Sequence, residues 1–236
     1  MKAYRHMAVA ALSTLALFVA NALAADSGSI DKVAGDVLIT SPGKAPRKAT
    51  ARDAVQSGDT IATQGKSEAV IKLADESVIA LRPNTRFQLS EFRYDKKSTD
   101  TAQFSLLKGV ARLLTGLVGS SQPDRVRVTA ATATVGIRGT DFEVAVVTED
   151  TPEMRAGVYD FVHDGATNIK LASGPSLDVK KEQTAFAPDK LKPGEAPLYL
   201  LDSTPVFLQQ GGGFDALMQS LTMQPINTIQ QMPMFR

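Results

Sequence analysis

Short runs of β-branched and other apolar residues, separated by turn residues, dominate the chain between residues 30 and 187. Strict alternation of apolar and polar residues, as in VRVT at 126–129, is typical of a half-buried strand. A spacing of roughly 8–12 residues between such runs predicts an all-β domain. The predicted strands are residues 37–40, 60–63, 70–73, 78–81, 86–89, 126–129, 142–147, 158–162 and 168–171.

Two pairs of these runs are joined by short turn sequences. The loop Ala74-Asp75-Glu76-Ser77 lies between residues 70–73 and 78–81, which predicts a hairpin with a four-residue loop. The dipeptide Asp164-Gly165, a strong turn signal, precedes the run at 168–171.

The segment FSLLKGVARLLTGLVG at 104–119 does not fit the alternating pattern. Five of its apolar residues fall at helical spacing, namely Leu106, Val110, Leu113, Leu114 and Leu117. Gly109 and Gly116 argue against a helix, because each glycine in a helix interior costs about 1 kcal/mol relative to alanine. A helix and a pair of strands turning near Gly109 both remain open from the pattern alone.

The N-terminus has the pattern of a secretory signal peptide. Lys2, Arg5 and His6 precede an apolar stretch at 7–20, and Ala22-Leu23-Ala24 supplies the small residues before a cleavage site. The apolar stretch is shorter than the ~20 residues of a spanning helix. We therefore expect cleavage between Ala24 and Ala25, no membrane span afterwards, and a periplasmic or secreted mature protein.

The composition changes after residue 187. Prolines at 188, 193 and 197 and the triplet at 211–213 (GGG) predict a mostly irregular C-terminal tail over residues 188–236. One short amphipathic helix is predicted within it, from Phe214, Leu217, Met218 and Leu221. The tail is either a docking segment or a loose terminus, and we expect the β domain at 30–187 to fold without residues 206–236.

Charge and composition narrow the function. The chain has 26 Lys and Arg against 25 Asp and Glu; loss of Lys2 and Arg5 with the signal peptide leaves 24 against 25, so no basic excess favours nucleic acid. There is no cysteine, and His163 is the single histidine beyond the signal peptide. Zinc sites and serine triads depend on such residues. We predict no catalytic residue, no metal site and no cofactor.

The run ATVGIRGTDFEV at 133–144 places an arginine and an aspartate three positions apart between two predicted strands. Thr140 separates Gly139 from Asp141, so the run is not an Arg-Gly-Asp adhesion motif, and Arg138 stays protonated and is a poor acid or base. Gly136 and Gly139 allow a sharp bend. We predict that Arg138 turns inward onto carbonyls freed by the bend and that Asp141 neutralises it. Contact with a ligand is the alternative.

The longer run ATATVGIRGTDFEV at 131–144 closely resembles the signature of the FecR-domain family, whose members are extracytoplasmic all-β domains. Segments 57–63, 69–89, 104–114 and 157–171 resemble further strands of that family, so the resemblance spans about residues 30–187. It implies a β-sandwich or solenoid-like domain of short strands and favours a strand at 104–114. Residues 74–77 depart from the Asp-Gly-Ser turn usual in the family.

The resemblance also implies a function. The family's named regulators sense an outer-membrane iron transporter and control a sigma factor through a cytoplasmic helical region. Six residues precede the apolar stretch here, so we expect a stand-alone exported member without that region. The expected function is a non-catalytic protein-binding, scaffold or sensory module with an envelope protein as partner. A cell-wall or glycan-binding module is the alternative, and a hydrolase with an unrecognised carboxylate pair is a third.

Overall fold

A computed structural model describes residues 27–137 and 139–209, which form 17 strands and two short α-helices. The first nine strands are β1 Gly28–Ala34, β2 Val37–Thr40, β3 Arg47–Lys48, β4 Ala54–Val55, β5 Thr60–Thr63, β6 Glu68–Leu73, β7 Val78–Leu81, β8 Arg86–Arg93 and β9 Thr101–Leu114. Helix α1 Leu117–Ser121 and a 3₁₀ turn at Pro123–Arg125 follow. The remaining elements are β10 Val126–Ala130, β11 Ala133–Ile137, β12 Asp141–Val147, β13 Gly157–Asp164, β14 Ala166–Leu171, β15 Ser176–Lys180, β16 Thr184–Pro188, β17 Tyr199–Leu200 and α2 Val206–Gln209.

The strands form two layers that share one long strand. Sheet A has the order β4-β1-β6-β7-β9-β12-β13-β16-β17. Sheet B has the order β3-β2-β5-β8-β9-β10-β11-β14-β15. Every described pairing is antiparallel except that of β9 with β10. The all-β expectation is confirmed.

Strand β9 passes from one sheet to the other at Gly109. Residues 101–108 pair with β8 in sheet B, and residues 109–114 pair with β12 in sheet A. Gly109 has φ +86°, and a Cβ there would lie 2.4 Å from Oγ1 of Thr85. The Thr85 hydroxyl donates to the carbonyl of Val110 and accepts from its N–H, at 3.1 and 3.0 Å. A glycine is therefore required where the strand bends against Thr85.

The bend also explains the helical spacing in the sequence. Phe104 and Leu106 point into the core from one half of β9, whereas Ala111 and Leu113 do so from the other half. The inward positions change from even to odd numbers across the bend, so the apolar spacing imitates a helix although the segment is a strand. The strand ends at Leu114, and only the last residues of the segment form helix α1.

The main core lies between the two sheets. It is built from alternate residues of nearly every strand, with Phe87, Phe142, Ile30, Ile61 and Leu81 among its fully buried members. The rings of Phe87 and Phe104 pack at 5.6 Å between centroids. The chain has no cysteine and so no disulfide. The burial of apolar side chains from both sheets stabilises the fold instead.

The predicted hairpin is present, with residues 74–77 joining β6 to β7. The carboxylate of Asp75 is fully buried and accepts from the N–H and hydroxyl of Ser77, at 3.1 and 2.9 Å. Glu76 has φ +68°, a conformation that favours glycine. This is the position at which the family pattern has its Asp-Gly-Ser glycine.

Residues 199–209 lie within the predicted tail and pack on sheet A. Strand β17 pairs with β16, and Leu208 of helix α2 is 1% exposed. The signal peptide and the predicted helix at 214–221 lie outside the described residues. None of the helices in the described part is long and apolar enough to cross a membrane.

Candidate functional site

The signature segment forms the crossing from sheet B to sheet A. Gly136 lies within β11, opposite Arg127 of β10, rather than in the bend itself. Gly139 has φ +66°, and Asp141 begins β12. Arg138 lies outside the described residues, so its predicted inward position stays a prediction.

Thr140 anchors this crossing. Its hydroxyl donates to the carbonyl of Ala166 at 2.8 Å, and its N–H donates to Oγ1 of Thr115 at 2.9 Å. The Thr140 carbonyl in turn accepts from the N–H and the hydroxyl of Thr115, both at 3.1 Å. A Cβ on Gly165 would lie 2.4 Å from the Gly139 carbonyl oxygen, so the Asp164-Gly165 turn packs directly on the crossing. Gly139 and Thr140 of the signature therefore contact both the Asp164-Gly165 turn and Thr115, the residue that follows β9.

The carboxylate of Asp141 is held by Arg112 of β9. Nε of Arg112 donates to Oδ1 at 2.8 Å and Nη2 donates to Oδ2 at 2.7 Å. The side chains are 13% and 19% exposed, so this bidentate pair lies mostly out of water. Such geometry gives strong charge-assisted hydrogen bonds. Both Asp141 oxygens therefore accept hydrogen bonds from Arg112, a residue that the sequence analysis did not single out.

A second ion pair lies two residues further along β12. Glu143 is fully buried, and Nη2 of Arg82 donates to both of its oxygens at 2.8 Å. Nε2 of His163 lies 3.3 Å from Oε1 of the same carboxylate, without hydrogen-bond geometry. His163 is 23% exposed and packs against the ring of Phe161 at 4.5 Å. The single histidine beyond the signal peptide is therefore a partly buried side chain that faces a carboxylate.

Arg82 also joins the sheet to the C-terminal segment. Its Nη1 donates to the carbonyl of Phe207 at 2.6 Å, and its Nη2 lies 3.4 Å from the carbonyl of Leu208. Helix α2 thereby lies over the outer face of sheet A, with its last carbonyls toward a cation, the favourable end for a positive charge.

An aromatic cluster surrounds the same face. Tyr159 and Phe186 stack at 4.3 Å between ring centroids, and Phe207 meets Tyr159 edge-on at 5.3 Å. Tyr199 of β17 meets Phe186 edge-on at 5.8 Å. These contacts bury Leu208, so residues 199–209 form one packed layer on sheet A.

A polar clamp holds the start of this layer. Arg155 donates to both oxygens of Glu195, at 2.5 and 3.1 Å, and its guanidinium lies 5.4 Å from the centre of the Phe186 ring. The hydroxyl of Tyr199 donates to Oε1 of Glu195 at 2.8 Å. Arg155, the N–H of Lys192 and Tyr199 together lower the pKa of Glu195 to about 2. The clamp keeps its charge over the whole physiological pH range.

The carboxylates of Asp141, Glu143 and Glu195 each accept hydrogen bonds from an arginine. The described residues hold no group of three His, Asp or Glu side chains that could bind a metal ion.

Sequence reasoning missed Arg82, Arg112 and Glu143. A usable signal was present, because Arg112 and Glu143 are charges flanked on both sides by apolar residues, and Asp141 and Glu143 share a face two residues apart. The pairing of β9 with β12, which places Arg112 opposite Glu143, depends on the fold and was not readable from the chain.

The described strands form an all-β domain of two sheets, with two mostly buried ion pairs between neighbouring strands. Residues 59–160 match the family model described as "FecR protein". No curated protein matches the chain in sequence.

Two solved structures are similar to the chain. The first is a "putative anti-sigma factor" from Parabacteroides distasonis, with 15% sequence identity and a TM-score of 0.50, covering 64% of this chain and 63% of that one. The second carries the same description and organism, with 14% identity, a TM-score of 0.48 and coverage of 64% and 62%. At these identities the first likeness shows the fold alone, and the chain spans less than two thirds of that protein's length.

Proposed function

We propose that this chain is an exported, non-catalytic FecR-domain module that binds another protein of the cell envelope as part of a signalling system. The FecR match over residues 59–160 supports the regulatory class. The basic start, apolar stretch and Ala22-Leu23-Ala24 at the N-terminus support export and a periplasmic or secreted location.

The single observation that carries the binding proposal is the edge of sheet B at β15. Among the described strands, β15 pairs with β14 alone, over five residues. The other described sheet edges, β3, β4 and β17, have two residues each. An extended segment of a partner can add to such an edge through main-chain hydrogen bonds.

The register identifies which backbone groups face outward. Leu171 donates to the carbonyl of Pro175 at 2.8 Å, and hydrogen-bonded pairs of an antiparallel ladder then alternate along the hairpin. That alternation turns the N–H groups of Ser176, Asp178 and Lys180 away from β14. Consistently, the N–H of Lys180 donates at 2.9 Å to the side chain of Gln183, which lies outside the ladder. The N–H and C=O of Asp178 are therefore offered at the open edge.

A matched pair of variants tests this edge. Asp178→Pro removes an outward N–H without removing a bond to β14, whereas Asp178→Ala keeps the N–H and loses the same side chain and its contact with Asn168. Tagged mature protein carrying each change is exposed to envelope extract of the native host, after thermal melts show that both variants fold. We expect one specific protein to be recovered with the parent and Asp178→Ala, and its recovery to fall at least about tenfold with Asp178→Pro.

The cell-wall alternative gives a different outcome. Sedimentation of the mature protein with purified cell wall, without recovery of a protein partner, would assign the chain to glycan binding instead. Equal recovery of a protein by both Asp178 variants would contradict the edge as the binding surface.

A further inference from the structure

An apolar surface lies on the outer side of sheet A, separate from the main core. Its members alternate along β12 and β13 with residues of the main core, so they point away from that core. Two of its aromatic rings, Tyr159 and Phe186, are 4% and 2% exposed. We name this surface the aromatic face, and it consists of Val110, Ala145, Val147, Tyr159, Phe161 and Phe186.

Residues 199–209, named the docked segment, lie on the aromatic face. Tyr199 meets Phe186 edge-on, and Phe207 meets Tyr159 edge-on. The segment also adds two residues to the edge of β16, which is how an extended peptide binds a sheet edge. Its apolar members in the cluster are Tyr199, Leu201, Phe207 and Leu208.

The docked segment itself is held close to the protein surface. Leu208 is its one buried residue, whereas four of the five residues of the neighbouring strand β16 are buried. Leu200 and Val206 are exposed. A segment with so few buried side chains opens at a lower free energy than the strands on which it lies. The segment can therefore leave the aromatic face while the two sheets stay folded.

Polar contacts hold the docked segment at its two ends. At its start, Tyr199 donates to Oε1 of Glu195, which also accepts from the partly exposed Arg155. At its end, Nη1 of Arg82 donates to the carbonyl of Phe207. A segment of another protein can offer the same groups, namely aromatic rings, a phenol hydroxyl and main-chain carbonyls.

We propose that the aromatic face is a protein-binding surface, which the docked segment occupies until an extended segment of another protein takes its place. The segment that fits pairs with β16, has an aromatic residue in the position of Tyr199, and has an aromatic–leucine pair in the positions of Phe207 and Leu208. Because the docked segment is tethered, it competes at an effective concentration of the order of millimolar. The contacts of Glu195 therefore control access to the surface.

This surface adds to the proposed function and is separate from the β15 edge. The aromatic face belongs to sheet A, whereas β15 is the last strand of sheet B. The Asp178 variants leave the aromatic face unchanged, so failure of one proposal is distinguishable from failure of the other.

Disulfide trapping tests the exchange directly, since the sequence has no cysteine. The hydroxyl oxygens of Thr184 and Thr204 lie 2.8 Å apart, so cysteines at these positions meet when a segment is docked. The mature chain carries Thr184→Cys together with Glu195→Ala, which removes the contacts with Arg155 and Tyr199. The probe is a peptide of residues 196–209 with Thr204→Cys, and the mixed disulfide is measured by mass spectrometry after mild oxidation.

Thr184 is buried and its hydroxyl contacts the docked segment, so the peptide bonds to position 184 after that segment has left. We expect at least about tenfold more mixed disulfide with Glu195→Ala than with a Thr184→Cys chain that keeps Glu195. In the matched control, Glu76→Ala replaces Glu195→Ala and removes an exposed ion pair at another turn. A second control peptide carries Tyr199→Ala and Phe207→Ala. Neither control should exceed the level of the chain that keeps Glu195.

Four results would overturn the proposal: no mixed disulfide with any chain, equal yields with Glu195→Ala and Glu76→Ala, equal yields from the two peptides, or a disulfide between two chains. For the last result, Thr184→Cys chains are mixed with Thr204→Cys chains without peptide, and a bond between them would assign the occupant to a second copy. Thermal melts first establish that each variant folds. If Glu195→Ala does not fold, Tyr199→Phe takes its place, because it loses the hydrogen bond to Glu195 and keeps the ring.

Discussion

At the residue scale, two residues of the signature, Thr140 and Asp141, are held by hydrogen bonds from β9 and the residue that follows it. Both oxygens of Asp141 accept from Arg112, and the backbone of Thr140 is bound on both sides by Thr115. Burying a carboxylate is favourable only with such partners. Variants at Arg112 and Arg138 measure separately how much each arginine contributes to the free energy of unfolding.

Loss of Arg112 leaves Asp141 without its bidentate partner in a mostly buried position. We expect Arg112→Ala to lower the free energy of unfolding by about 2 kcal/mol or more. Lys48→Ala is the matched control, because Lys48 pairs with Asp36 where both side chains are well exposed, and such pairs contribute at most about 1 kcal/mol. Urea unfolding followed by circular dichroism measures both. Equal, small effects would show that the Arg112–Asp141 pair does not stabilise the crossing.

The predicted inward position of Arg138 leads to a second prediction at this scale. If Arg138 binds carbonyls at the crossing, Arg138→Ala lowers the free energy of unfolding by several kcal/mol, as removal of a buried charge partner does. The same urea titration measures it beside Arg112→Ala. A variant that melts like the parent and loses its envelope partner would identify Arg138 as a contact residue.

Asp160 gives the molecule an unusual pH dependence. It lies in β13 on the face that points between the sheets, with Oδ2 accepting from the hydroxyl of Thr167 at 2.6 Å and no described partner for Oδ1. Burial raises its pKa from 3.8 to about 7, against the opposing effect of the Thr167 hydrogen bond. The folded chain therefore holds a proton that the unfolded chain has released between about pH 4 and pH 7.

Because the folded pKa is the higher one, the contribution of Asp160 to stability is complete below pH 4 and is lost as the pH rises through 7. We expect Asp160→Asn to be more stable than the parent at pH 8 and to lose most of the fall in stability between pH 5 and pH 8. A difference of one pH unit between the folded and unfolded pKa corresponds to about 1.4 kcal/mol. Thermal melts from pH 5 to pH 8 measure it, with the exposed Asp164→Asn as control. A parallel pH profile for parent and Asp160→Asn would contradict the assignment.

At the element scale, the turns and β9 show what sequence could and could not provide. Alternation and turn residues predicted the strands and the hairpin at 70–81, because each depends on neighbours in the chain. The segment at 104–118 stayed ambiguous, because its apolar spacing reflects a change of sheet at Gly109. That change depends on which strands flank β9, a property of the whole fold. The pairing of Arg112 with Asp141 was hidden for the same reason.

The hairpin turn carries a testable strain at Glu76. Its φ of +68° is costly for a residue with a Cβ, by about 1 kcal/mol. We expect Glu76→Gly to raise the free energy of unfolding by roughly that amount. Glu76→Ala is the control, since it loses the same exposed ion pair with Lys72 and keeps the strain. If urea titration gives Glu76→Gly the same stability as Glu76→Ala, the turn is not strained.

At the scale of the whole molecule, the two sheets have different surfaces. Sheet A carries the buried ion pairs and the aromatic layer and is covered by residues 199–209. Sheet B ends in the open strand β15. The fold class and the resemblance that the family model matches over residues 59–160 were readable from the sequence, since short strands and the signature are local patterns. The covered face and the open edge were not, because they depend on strand order.

The central claim, an envelope protein bound at the β15 edge, is tested most directly by photo-cross-linking in intact cells of the native host. A photoreactive amino acid replaces Asp178 in the exported chain, and Lys44, which is exposed in the loop between β2 and β3, is the control position. We predict an adduct with one envelope protein from position 178 and none from position 44. An adduct with cell wall alone, or the same protein captured from both positions, would contradict the account.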